Sequence, residues 1–372
     1  MDWFDPAFKA GGPIRSIMNF VDSLHRSYTL KIFTADRDIN ASSALPGITT
    51  DIWQEYSGHA YVFYSSQSNV RSKVKMQIKL LPKNSFVYLN SMFSYSFMLT
   101  PLIFCILNRP DLNVIINPRG MLKPNALKYK WLKKRVFLAV FKLCRLQKKV
   151  VWHFTEKNEV QNAMKLLGKK FEYEIIPNFP IRPSNELIRK VKIPGELKVV
   201  FIGRVHPIKN LKYGLDILSK IKGNIHVRIY GLIEDMNYWA QCRDLIDDLE
   251  SSIRVEYVGP IHFNKVGDAI VDHHLLLSPT SGENFGHNIF ESLAMGRPVL
   301  ISDQTPWRDL SIAGIGWDVP LSDREGFIEA LKQMLNMDQN QFDHMCINCL
   351  NYASDFHSGT DLVNRYKNLF SI

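Results

Sequence analysis

Short apolar runs recur along almost the whole chain, separated by stretches whose apolar positions repeat with helical spacing. Runs of this length with little alternation suit parallel strands covered on both faces, and the stretches between them suit the covering helices. A first series occupies residues 29–34, 61–64, 86–89, 114–117, 150–154 and 173–176, and a second occupies 198–202, 226–230, 254–258, 275–277, 299–301 and 316–319. The expected fold class is therefore α/β, with two Rossmann-like, doubly wound domains. At 372 residues and 46% hydrophobic content there is enough apolar material for two cores. Between the series lie Pro180, Pro183 and a polar stretch up to Gly195, which predicts a first domain at 1–183, a linker at 184–195 and a second domain at 196–352.

The glycine turn Gly11-Gly12 precedes a helix with Pro13 in its first turn and Ile14, Ile17, Met18, Val21 and Leu24 on one face. In an α/β fold such a turn follows a strand. Either Trp3 and Phe4 form a stump of that strand, or the reading frame begins upstream with about five more apolar residues. Residues 84–108 carry no charge and are long enough to span a bilayer, but Asn90, Ser91, Ser94, Ser96, Thr100 and Pro101 interrupt them, so a buried strand-helix unit is expected. The start of the chain lacks the basic and apolar segments of a signal peptide, and five scattered cysteines suit free thiols in a reducing cytoplasm. Cys346 and Cys349, at helical spacing with no following βαβ pattern, read as core residues.

Candidate chemistry sits after the strands of the second series. After the run at 275–277 comes a glycine loop with Glu283, then a short helix closed by Gly296, with Glu291 one turn inside it. At 100° per residue Ile289, Phe290 and Leu293 share one side of this helix, while Glu291 falls with His287 on another and is expected to point into a crevice. First-turn amides of a helix have no intrahelical partner and carry the positive end of its dipole, so Gly286, His287 and Asn288 can cradle a phosphate. Carboxylates next to a phosphate site are tolerable if they bind hydroxyls, which suggests a sugar nucleotide. From spacing alone, an ordinary strand-loop-helix with two solvated glutamates fits equally well. Arg204, just after the run at 198–202, and Lys209 beyond it offer a planar fork and a point charge suited to a diphosphate.

These residues resemble the retaining nucleotide-sugar glycosyltransferases of family 4. The resemblance rests on Glu283 and Glu291 with Phe285-Gly286 and Gly296-Arg297-Pro298-Val299, together with Gly203-Arg204 and Lys209-Asn210, and it covers the second domain and much of the first. Gly11-Gly12-Pro13-Ile14-Arg15-Ser16, residues 117–122 and His153-Phe154-Thr155 are similar to a bacterial subgroup that builds cell-surface polysaccharides, such as lipopolysaccharide or capsule. The resemblance implies a GT-B fold, with two domains facing across a cleft and a terminal segment, 353–372, crossing back to the first. It implies catalytic roles for Glu283, Arg204 and Lys209. Donor binding would involve Gly11, Gly12, Arg204, Lys209, Phe285, Gly286, His287, Asn288 and Glu291, with Glu291 on the ribose and Glu283 on the transferred sugar. The family usually has glycine where this chain has Asn284, and many members have a histidine where it has Asn90-Ser91. Asn90 and Arg119 are thus the acceptor-side candidates.

Bond cleavage at the sugar leaves negative charge on the diphosphate, and cations already in place make a divalent metal unnecessary; no Asp-x-Asp occurs. No metal or other cofactor is expected. The expected partners are a nucleotide-sugar donor with uridine as its base, and a glycan or lipid-linked acceptor.

The chain carries 46 Lys and Arg against 36 Asp and Glu, and residues 119–149 hold many of the bases and no acid. Phe137, Val140, Phe141 and Leu143 interleave with these lysines. An anionic inner-membrane surface is one reading of that segment and a solvated lysine-rich face is the other. A cytoplasmic protein, peripheral on the membrane, would suit the first. A basic nucleic-acid-binding module is a competing class, but no zinc spacing or RNA-binding aromatic motif accompanies the patch, and no nucleic acid is expected. A GT-B epimerase or phosphorylase is a further alternative.

Overall fold

The structure, a computed structural model, describes residues 1–128 and 130–371. Two compact units result: residues 1–179 with the segment from Asp361 on, and Pro180–Thr360.

The first unit holds strands β1 (Leu30–Ala35), β2 (Trp53–Tyr56), β3 (Ala60–Ser65), β4 (Phe86–Leu89), β5 (Asn113–Ile116), β6 (Val151–Phe154) and β7 (Glu172–Ile175). They form two sheets, β1-β3-β2 and the parallel β4-β5-β6-β7. β2 was not expected. Its Gln54 and Glu55 break the apolar pattern, yet it pairs antiparallel with β3 across the tight turn at Ser57-Gly58. The segment before helix Gly12–Leu24 runs beside β1 without forming a strand: the Met1 amino group donates to Phe33 O at 2.8 Å, and Phe4 is fully buried. Residues 84–108 fold as β4, a π-helical turn at Tyr95–Leu99 and helix Thr100–Asn108, with Met98, Leu102 and Cys105 buried. Among the described residues no helix is long and apolar enough to cross a membrane.

The second unit is built on one parallel sheet, β8 (Glu196–Ile202), β9 (Asn224–Tyr230), β10 (Ile253–Gly259), β11 (Leu275–Ser278), β12 (Val299–Ser302) and β13 (Gly316–Val319), in the order β10-β9-β8-β11-β12-β13. The strand order reverses between β8 and β11, and in open parallel sheets the crevice at such a switch point is where ligands bind. Every residue of β11 and β12 is buried, as central parallel strands require.

Two expected boundaries shift. Residues 184–195 are not a free linker but part of the second unit. Lys192, 3% exposed, donates through Nζ to Ile193 O and Leu335 O, and the buried Arg297 donates to Ile188 O at 2.6 Å. Polar composition hid this, because these side chains bind backbone carbonyls. At the far end, helix Gln339–Gly359 stays with the second unit. Only helix Leu362–Leu369 joins the first, where Tyr366 stacks on Phe179 with centroids 4.5 Å apart.

Candidate functional site

In the second unit, four chain segments meet at the carboxyl ends of β8 and β11. The first leaves β8 at Gly203-Arg204. A 3-10 turn follows at Pro207–Lys209, held by its backbone: Ile208 N donates to His206 Nδ1 at 3.2 Å, while Ile208 O accepts from Ser281 N at 2.8 Å and from Thr280 Oγ1 at 3.0 Å. The third segment is the loop after β11. There Glu283 N donates to Gln304 O at 3.0 Å, and the Glu283 carboxylate forms an ion pair with Lys209. The fourth is helix His287–Ala294, tied to β8 by Asn288 Nδ2 donating to Ile202 O at 2.7 Å.

The helix entrance depends on Gly286. Its φ is +75°, and a Cβ there would lie 2.8 Å from Ile289 Cδ1 and 3.4 Å from Trp307 Nε1. The N-cap residue Gly286 has no side chain to cap this N-terminus, which begins with His287 and Asn288, and Ile289 N donates to Asn288 Oδ1 at 3.0 Å. The ring of Phe285 is buried against Trp307 and Phe290, and Trp307 Nε1 donates to its carbonyl at 2.6 Å, so that residue fastens the loop to the core. Ile289, Phe290 and Leu293 are buried as expected, but so is Glu291, at 6% exposure. Helix Gln339–Gly359 and the sheet both pack on this short helix.

Arg204 and Lys209 each face a carboxylate. Arg204 Nη1 lies 2.5 Å from Glu234 Oε2, and Lys209 pairs with Glu283. His206, 8% exposed, is held toward its neutral form by burial, and its Nδ1 acceptor role requires that form. Sequence reasoning missed His206 and Glu234. A histidine directly before the Pro207–Lys209 turn was the available signal for the first; nothing local marked the second.

In the first unit, the acceptor-side candidates meet each other. Arg119, at φ +52° after β5, donates from Nε and Nη2 to Asn90 Oδ1 at 3.1 and 2.6 Å. Its Nη1 binds Ser16 and Asn178, which connects it to helix Gly12–Leu24. Asn117 Oδ1 accepts from Arg119 N at 3.0 Å and Asn117 Nδ2 donates to Tyr88 Oη at 3.0 Å. His153 completes this network: Nε2 donates to Ile176 O at 2.7 Å and Nδ1 lies 2.5 Å from Tyr88 Oη. Burial lowers the His153 pKa to about 3, so the ring is neutral and Nδ1 accepts from Tyr88. Gly11, at φ +65°, and Gly12 lie in this unit at the start of that helix. They and the strand-end cluster around Arg204 thus fall in different units.

Residues 196–337 match the family model described as Glycosyl transferases group 1. No curated protein matches the chain. Solved structures that resemble it across nearly its whole length include HepE of Anabaena in complex with UDP and glucose, at 14% identity and a TM-score of 0.69, covering 99% of this chain and 98% of that one. WaaG, a glycosyltransferase involved in lipopolysaccharide biosynthesis, matches at 14% identity and 0.69, covering 100% of this chain and 97% of that one. Sucrose-phosphate synthase from Thermosynechococcus elongatus matches at 16% identity and 0.66, covering 97% and 93%. The fold is GT-B, and the second unit carries a domain that matches the group 1 glycosyltransferases.

Proposed function

We propose that the chain is a retaining family 4 enzyme that moves a sugar from a nucleotide-diphosphate donor, with uridine as the base, to a lipid-linked or polysaccharide acceptor in surface-glycan assembly. The observation that carries this reading is the meeting of Arg204, Lys209 and the start of helix His287–Ala294 at the switch point of the second sheet. Three positive features there suit a leaving diphosphate without a divalent ion. In this reading Arg204 and Lys209 hold the diphosphate, Gly286, His287 and Asn288 present their amides, Glu291 binds the ribose, and Glu283 takes the sugar. Gly11 and Gly12 are the first unit's donor-binding residues, and the Asn90–Arg119 pair serves the acceptor. HepE's structure with UDP and glucose supports the choice of uridine, and WaaG's role in lipopolysaccharide biosynthesis supports that of acceptor. The test is turnover of UDP-glucose, UDP-galactose, UDP-N-acetylglucosamine and GDP-mannose in the presence of a chelator, followed by NMR of the anomeric proton. Release of nucleoside diphosphate with an α-linked sugar product is expected; no turnover of any donor refutes the reading.

The membrane reading gains support from helix Trp131–Leu143. Leu138 and Phe141 face the core, whereas Leu132, Val136, Val140 and Leu143 are exposed and share the other side. Arg135 and Lys142 flank this stripe on one edge and Lys133 on the other, which is the pattern of an interfacial helix at an anionic leaflet. The protein is expected to float with vesicles containing about one-third anionic lipid, and the double substitution Val136→Asp with Leu143→Asp should reduce this at least about tenfold. Equal flotation of the variant refutes docking through this face.

A further inference from the structure

The loop after β9 places Glu234 opposite Arg204 by backbone pairing. Beyond their strands the two loops continue side by side: Gly203 N donates to Tyr230 O at 2.8 Å, Val205 N to Leu232 O at 2.8 Å, and Glu234 N to Val205 O at 3.2 Å. Gly231, at φ +151°, makes this approach possible, since a Cβ there would lie 1.9 Å from Gly203 O. Asp235 next caps helix Met236–Asp247, its Oδ1 accepting from Tyr238 N at 3.0 Å. Glu234 is therefore fixed from both sides, and its carboxylate rests on the Arg204 guanidinium with both side chains about 40% exposed, at 40% and 39%. A structural ion pair does not need this site, because surface pairs of this exposure add little stability.

We propose that Glu234 acts as a built-in counter-ion that Arg204 exchanges for the donor's diphosphate, and that its carboxylate then expels the nucleoside diphosphate product. The inference rests on the donor reading above. Transfer breaks the bond between the sugar and its phosphate oxygen, forms the bond to the acceptor hydroxyl oxygen and releases that hydroxyl's proton. The broken bond's electron pair stays on the terminal phosphate. The donor thus enters with two negative charges, and the product leaves with nearly three at neutral pH, since a terminal phosphate gives up its second proton near pH 6. A fixed carboxylate beside Arg204 repels the product more than the donor, so it favours release after transfer and disfavours product inhibition.

The experiment is calorimetric titration of wild type and Glu234→Gln with UDP and GDP at two salt concentrations, alongside steady-state kinetics. Glutamine keeps the size and the hydrogen bond and removes the charge. The variant should bind the nucleoside diphosphate about 3- to 10-fold more tightly, with a steeper salt dependence, while the donor KM falls only about twofold. Product inhibition should strengthen and kcat should fall. Glu234→Asp, which keeps the charge, should restore wild-type inhibition; a merely structural role would not give this split. Unchanged or weaker product binding in Glu234→Gln overturns the inference while leaving the donor reading intact. Absence of binding of either nucleotide to wild type removes both.

Discussion

Replacing Lys209 by alanine is expected to lower kcat/KM for the donor by about 10²- to 10³-fold, the usual cost of removing one preorganised charge partner from a developing anion. The lysine is placed by backbone. Both the amide and the carbonyl of Ile208 are bonded, so the residue that follows them has little freedom, and the Lys209 side chain is only 19% exposed. In the absence of donor, Glu283 neutralises it. Donor binding has to break or share that pair, which brings the carboxylate to the sugar as the ammonium turns to the phosphate. Glu283→Gln should therefore behave differently from Lys209→Ala. It should lose kcat about 10²-fold with little change in KM, because the lysine is released while the carboxylate opposite the sugar is lost. Steady-state kinetics on the two variants separates these effects; identical losses in KM alone would contradict the assignment.

Stability is expected to fall steeply as pH drops from about 6.5 towards 4. Burial lowers His273 and His274 to about 4 and His153 to about 3, all below the ordinary value of 6.5. All three are committed as neutral rings. His274 Nδ1 accepts from Lys198 N at 3.0 Å and Nε2 donates to Val191 O at 2.8 Å, and His273 Nδ1 donates to Ala269 O at 2.6 Å. The folded pKa lies below the unfolded one, so the unfolded chain takes up protons first. Their stabilising contribution is complete above pH 6.5 and is lost as pH falls through the folded values. Each group costs about 1.4 kcal/mol per pH unit in that window, or about 3 kcal/mol for each of the two in the second unit. Denaturant unfolding at pH 7, 5.5 and 4.5 should show this loss, and His274→Gln, which can keep both bonds, should flatten the dependence. A profile flat to pH 4.5 would show that these rings are protonated without strain.

Much of the second unit was legible in the sequence because its central strands β11 and β12 are short apolar runs and because Gly203, Gly231 and Gly259 mark the ends of β8, β9 and β10. For the same reason the helix at 287–294 and the glycine before it could be placed to within a residue. Charge pairing was not legible. Glu283 and Lys209 are far apart in sequence, and Glu234 looked like any loop acid until backbone pairing of the loops after β8 and β9 set it against Arg204. In the first unit Arg119 and Asn90 carried only the resemblance. Their union depends on a left-handed residue and on Asn117, Tyr88 and His153, which come from three strand ends. The stretch at 184–195 misled because a buried Lys192 satisfied by carbonyls has the same composition as an exposed one, and because the Arg297 that holds Ile188 lies far off in the sequence. β2 escaped because an edge strand needs only one neighbour and tolerates polar residues.

The central claim, that the switch-point cluster of the second unit is a donor-diphosphate site, is tested most directly by calorimetric titration of UDP and GDP into wild type and Lys209→Ala. The account predicts binding of one nucleotide to wild type, and a loss of about 10-fold or more in Lys209→Ala with folding unchanged. Binding that is equal in both proteins, or no binding of either nucleotide to wild type, would contradict it.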